Sequence, residues 1–128
     1  MRLPTALTVL RSFVALVFIT HAIQRSIIYQ TVDGFGGFLS AKGLPMGVVL
    51  AWLVTLYEYV GGGLMLFNKQ TKYISLGFIF HQVMGITLVH ARNGWFVVGP
   101  STGGMEYSAL LIVALLVIFA GASEKNEM

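Results

Sequence analysis

Long apolar runs alternate with short polar stretches along the 128-residue chain. Four runs stand out: Pro4–Ile28, Met46–Phe67, Tyr73–Val89 and Met105–Ala122. A helix needs about 20 residues, within a range of ~17–25, to cross the hydrocarbon of a bilayer. Each run therefore predicts one spanning helix, with Gly103 and Gly104 of the short last run at the headgroups. Lipid offers no hydrogen bonds, so each span must satisfy its own backbone as a helix. The pattern predicts an all-α fold: residues 1–128 form one integral membrane domain, a four-helix transmembrane bundle (helices about 4–28, 46–67, 73–89 and 105–122).

The connections differ in kind. NKQTK, residues 68–72, reads as a tight polar turn. The longer link from Arg25 to Pro45 holds VDGFGGFLSAKGLP, with Phe35 and Phe38 set among glycines. It predicts an interfacial loop or a short amphipathic helix lying on the membrane. The third link, HARNGWFVVGPSTGGMEY, gathers His90, Arg92, Asn93, Gly94, Trp95, Gly104 and Glu106. Asn93-Gly94 is expected to turn the chain out of the third helix, and Trp95 and Phe96 to anchor it at the headgroups. Gly103-Gly104 then leads into the fourth helix, which makes the link a lid over one mouth of the bundle. Arg2 precedes an apolar run as in a signal peptide, but Arg11 interrupts that run and no A-x-A-like site follows His21. The first run is read as a retained helix.

Composition strengthens the membrane reading. The chain is 56% hydrophobic and 10% charged, where soluble domains carry about 25% charged residues. Its mean hydropathy is +0.80, and a soluble domain this small has too much surface to hide such a side-chain set. The net charge is +3, but the eight Lys and Arg are scattered singly. That argues against nucleic acid as a partner and suits anionic lipid headgroups. With no cysteine, disulfides, thiolate nucleophiles and Cys-ligated metal or iron–sulfur centres are excluded. No HExxH, P-loop, nucleophile elbow or carboxylate-rich metal site occurs, so no metal is expected. Four spans put both termini on one side with Arg2, Lys69, Lys72 and Lys125, against Arg25, Lys42 and Arg92 on the other. The positive-inside tendency then favours cytoplasmic termini, by four to three.

A charge at the centre of a span costs about 2.5–3.5 kcal/mol. Arg11 and Glu58 both sit well inside their spans, so they are expected to pair within the bundle. At 1.5 Å per residue from the same boundary, Arg11 falls at ~10 Å, His81 at ~12 Å and Glu58 at ~14 Å. These three define an expected inner polar layer, a candidate quinone site or proton relay. His21, Arg25, His90, Arg92 and Glu106 define an expected outer layer. Helix phase places His21 ~80° from Arg11, so both can face the interior, and His90 ~180° from His81, so those two cannot both point to the centre unless the third helix has ended or bent by His90. Each feature has a plain structural reading beside the functional one. Arg11–Glu58 would serve equally as an ion pair fixing register, His81 as a hydrogen-bonded core histidine, and Glu106 as a first-turn carboxylate favoured by the helix dipole. His21 with His90 could ligate haem in principle, but nothing in the spacing is specific to it, and haem is not expected.

Several stretches together resemble the DoxX family of small membrane proteins: LRSFVALVFITHAIQR, GFGGFLSAKGLPMGVVLAWLVTLYEYVGGGLML, and HARNGWFVVGPSTGGMEYSALLIVALL. The likeness runs from about Leu10 to Gly121. It implies a four-helix bundle in a prokaryotic cytoplasmic membrane and a loose link to quinone and sulfur redox chemistry. The family's polar positions fall here on Arg11, Glu58, His90, Asn93, Gly94, Gly104 and Glu106. The resemblance does not extend to roles for His21 and His81.

Two functional expectations follow. In the first, the chain is a small subunit of a quinone-linked membrane redox complex, its histidine suited to proton traffic by a pKa near 6.5. In the second it is a non-catalytic accessory, assembly or chaperone subunit of a larger complex, with the outer loops as contact surface. Transport is disfavoured because the halves show no convincing repeat. Lipid and a larger membrane complex are the expected partners, and self-association would also be compatible.

Overall fold

The computed structural model describes residues 1–125, with side chains placed through residue 123. Among these residues all regular structure is helical: α1 Leu3–Ile23, continued by a π-helical turn Gln24–Ile28; α2 Val32–Ala41; α3 Gly47–Leu66; α4 Thr71–Leu88; a 3₁₀ turn His90–Asn93; and α5 Glu106–Lys125. Four long helices make an up-and-down bundle in which α1 packs on α3 and α5, and α4 on α5 and α3. The short α2 lies outside this ring, against α3. The link 25–45 thus contains a true helix, one of the two forms expected for it.

The bundle is apolar on both sides of its helices, which is what lipid as solvent produces. Val14, Phe18, Met65, Phe78, Leu111 and Leu115 fill the centre. Large side chains such as Phe13, Trp52, Leu56, Phe80 and Leu116 face outward. In water the outward set would be an exposed hydrophobic surface far beyond that of a soluble monomer.

Three segments are long and apolar enough to cross a membrane: Leu3–Ile28, Gly47–Leu66 and Glu106–Ser123. Helix α4 has 18 residues, about 27 Å at 1.5 Å per residue. Its hydropathy falls below theirs chiefly because Lys72, His81 and Gln82 lie along it, and its smaller polar residues Thr71 and Ser75 are buried inside the bundle together with Gln82. Their polarity is turned away from lipid: Thr71 Oγ1 donates to Asn68 Oδ1, and Ser75 Oγ to the Thr71 carbonyl.

The link from Gly94 to Glu106 folds on itself. Its amides at Gly103, Gly104, Met105 and Glu106 donate to the carbonyls of Val97, Phe96, Gly94 and Trp95. Gly104 is buried, and a Cβ there would lie 2.5–2.6 Å from backbone atoms of Trp95, Gly94 and Phe96. Backbone on three sides cannot yield cheaply, and overpacking of this kind costs about 1–3 kcal/mol. Gly104→Ala is therefore expected to open the lid while sparing the four-helix core. Hydrogen exchange should rise across residues 94–106 and stay unchanged in α1 and α3; uniform protection would refute the packing described.

Candidate functional site

The polar centre of the bundle is built around Glu58, in the middle of α3. Its side chain is 1% exposed. Arg25, in the π turn that prolongs α1, donates through Nη1 to Glu58 Oε1 at 2.5 Å. The same Nη1 lies 3.2 Å from the Thr55 hydroxyl, and Nη2 is 3.5 Å from Glu58 Oε2. From the opposite side, His81 on α4 brings Nε2 to 3.1 Å from Glu58 Oε2. Gln82 Nε2 lies 3.0 Å from the other ring nitrogen, Nδ1. A carboxylate only accepts, so His81 Nε2–H donates to Glu58, and Nδ1 accepts from the Gln82 amide of a neutral ring. That tautomer and amide orientation follow from the network itself.

Aromatic rings enclose the group. Phe18 and Phe78 stack at 3.9 Å between centroids, and His81 meets both edge-on. On the other flank, Phe35 of α2 lies against the Arg25 guanidinium, 5.0 Å from its ring centroid. A neighbouring bridge ties Ser26 Oγ to the Tyr59 hydroxyl at 2.8 Å. The π turn thus carries two successive residues that contact α3. One extra residue per turn shifts the helix phase locally, and such turns recur at functional sites in helices.

The arrangement corrects the expected inner layer. Glu58 and His81 meet, but Arg11 does not pair with Glu58. Its Nε donates to the Met65 carbonyl at 2.9 Å, in the last turn of α3, where a cation is favoured. The expected level came from counting each helix from a common boundary. Helix α1 with its π turn is longer than α3 and is displaced along it: Gly62 packs against Ala15 and Ile19, and Tyr59 reaches Ser26. Arg25 lies roughly 21 Å farther along the helix than Arg11 and occupies the place expected of it.

Nor does the outer layer form as one group. Arg25 has left it for Glu58. His21 is exposed and donates Nδ1–H to Val17 of its own helix. Arg92 is exposed. His90 and Glu106 serve the lid: His90 Nδ1 and Asn93 Nδ2 donate to the Gly103 carbonyl, and Glu106 Oε1 accepts from the Val97 amide. Helix α4 ends at Leu88, before His90, and His90 turns to the Gly103 carbonyl instead of the bundle centre. Gly94 makes the expected turn at φ 85°, and Trp95 and Phe96 are exposed.

Two participants in the Glu58 group were not placed there by the sequence: Arg25 was expected in the outer layer, and Gln82 was not singled out. Arg25 is only ~40° from Arg11 in helix phase, on the face that also carries Phe18 and Ala22; that signal was present. Gln82 had none beyond being a polar residue beside a histidine. Among the described residues there is no cluster of three or more metal-ligating side chains.

A membrane bundle centred on a buried Arg–Glu–His group defines the class. The DoxX family profile matches residues 6–91, two-thirds of the chain, and the protein belongs to that family. The match includes Arg25, Glu58, His81 and Gln82, and ends before most of the lid. No curated protein and no solved structure matches the chain.

Proposed function

We propose that this protein is a small subunit of a quinone-linked membrane redox complex in which His81, backed by Glu58 and Arg25, exchanges protons with a quinone headgroup. The observation that carries this reading is the placement of His81. Its ring is hydrogen-bonded to a carboxylate that is 1% exposed, while its own side chain remains 24% exposed. The imidazole is the accessible end of an otherwise closed charge pair, edged by the Phe18 and Phe78 rings. A planar dione arriving from the lipid would meet His81 first. A ring that has taken up a second proton at Nδ1, in place of the Gln82 contact, can give that proton to a reduced quinone oxygen, and the Glu58 carboxylate would stabilise the imidazolium in between. Electrons would come from a redox centre in a partner subunit, since this chain offers no cysteine to hold one.

The alternative, an accessory or assembly subunit, draws support from a different observation. Each polar atom of Glu58 and both ring nitrogens of His81 already have protein partners. A closed network of that kind also fixes helix register without any ligand. For location, we favour a prokaryotic cytoplasmic membrane with both termini inside. Arg25 is neutralised by Glu58, which leaves Lys42 and Arg92 against Arg2, Lys69 and Lys72 for the positive-inside balance. The remaining cation in that balance, Lys125, has its side chain outside the described residues.

One preparation separates the two functions. Protein purified in mild detergent should retain quinone in its lipid extract, and His81→Ala should lose most of it, by about tenfold for loss of a hydrogen-bonding headgroup contact. Quinone absent from the wild-type extract, with a co-purifying complex whose activity survives His81→Ala, would replace the redox reading with the accessory one.

A further inference from the structure

The other end of the bundle carries a second site, unrelated to the Glu58 group. A cleft of about 600 Å³ opens between the start of α1, the turn into α4 and the end of α5. Its wall divides by chemistry. Arg11 and Lys72 supply two cations, while Leu7, Tyr73 and Ile118 supply apolar surface. Among the described residues no carboxylate lines it.

Arg11 is held there by its single bond from Nε to the Met65 carbonyl. Among the described residues neither Nη group makes a protein hydrogen bond or salt bridge, so both donors remain for a ligand. Helix α4 begins at Thr71, and Gln70 gives no side-chain cap. The amides of its first turn lack helical acceptors, and Thr71, Lys72 and Tyr73 all line the cleft. Arg11, Lys72 and the first turn of α4 line one concave space, with the Lys72 ammonium 5.7 Å from the Tyr73 ring centroid, and cations beside a helix N-terminus are the combination that holds a phosphate. The apolar surface beside them is the half-buried Leu7 with the exposed Leu3 and Tyr73, over the buried core residue Ile118. Basic pockets between transmembrane helices at headgroup depth take anionic phospholipids in this way.

We infer that the cleft between α1, α4 and α5 binds the phosphate of an anionic phospholipid, with Arg11 and Lys72 as its charge partners and an acyl chain along Leu3 and Leu7. The shared chemistry with free phosphate is the anionic oxygen set; the apolar surface selects the lipid.

The test is native mass spectrometry of the full chain released from equal phosphatidylglycerol and phosphatidylcholine. Each basic residue near a headgroup contributes about fivefold in retention. The wild type should prefer phosphatidylglycerol on the order of 25-fold, and Lys72→Gln should lower this to about fivefold with Lys72→Arg restoring it. Lys42→Gln, at the opposite end, should change nothing, and millimolar inorganic phosphate should not displace the lipid. Lys72 lies at a polar turn, so its variants test the site even if Arg11→Gln does not fold. Equal retention of the two lipids, a preference untouched by Lys72→Gln, or an equal loss in Lys42→Gln would each overturn the assignment. Displacement by inorganic phosphate would overturn the lipid as the ligand.

Discussion

Glu58→Gln is expected to destabilise the protein by about 3 kcal/mol, near the lower end of the 3–5 kcal/mol typical when a buried pair loses one member. The substitution preserves size, and the amide oxygen still accepts from Arg25. What disappears is the negative charge. Arg25 is then a guanidinium inside the bundle without a counterion, and it cannot shed its proton. The loss is held to the lower figure because Arg25 lies at the end of α1. Its long stem gives it a route towards the headgroups, although it must give up Thr55 and the Phe35 ring to take it.

The reciprocal change separates charge from packing. In Arg25→Met the stranded group is a carboxyl, which can neutralise itself by taking up a proton. That variant should lose less than Glu58→Gln. Combining Arg25→Met with Glu58→Leu removes both charges and should recover most of the stability, as replacement of buried ion pairs by apolar residues does elsewhere. Thermal midpoints in one detergent measure all three; a fall of roughly 10 °C is expected for Glu58→Gln. Were Arg25→Met the more damaging, Arg25 would be holding the fold through its stem and the π turn, not through its charge. Loss of quinone retention in the stable double variant would bear separately on the proposed function.

The four long helices and the turns of the 94–106 link were legible because they depend on local features. Hydropathy over 20 residues, a positive-φ glycine after Asn93 and paired glycines before Glu106 act near their own place in the chain. The pairing of Glu58 was not, because it depends on how far α1 slides along α3. That slide is set by close packing at Gly62 and by the added π turn, and neither has a sequence signature strong enough to place it. Counting residues from assumed membrane boundaries put Arg11 at the wrong level. Helix phase, which makes no assumption about depth, puts Arg25 on the buried face with Phe18 and Ala22. Phase survives an error in the membrane boundary; depth does not.

Helix α2 offers a sharper test of what holds the Arg25 end together. Gly47→Ala is expected to lift α2 from α3. A Cβ at Gly47 would run into the Gly36 carbonyl and the Ser40 hydroxyl, and would lie 2.9 Å from the Ser40 amide. Across the same contact, a Cβ at Gly36 would lie 2.6 Å from Val48 Cα. The two helices therefore meet backbone to backbone, an approach that small residues permit in membrane bundles. The clash costs about 1–3 kcal/mol if both helices stay, and α2, outside the four-helix ring, is the element free to leave. Its departure would uncover Arg25, because Phe35 rides on α2. Proteolysis between Thr31 and Pro45 should accelerate markedly, while protection of α4 and α5 stays unchanged. Gly37→Ala, one position away with nothing within 4 Å of its Cβ, should leave cleavage at the wild-type rate or slow it by favouring the helix. If both substitutions accelerate cleavage alike, α2 is held by something other than the Gly36–Gly47 contact. If only Gly47→Ala does so and Glu58→Gln loses no further stability in that background, then α2 is the lid that keeps the Arg25–Glu58 pair out of water.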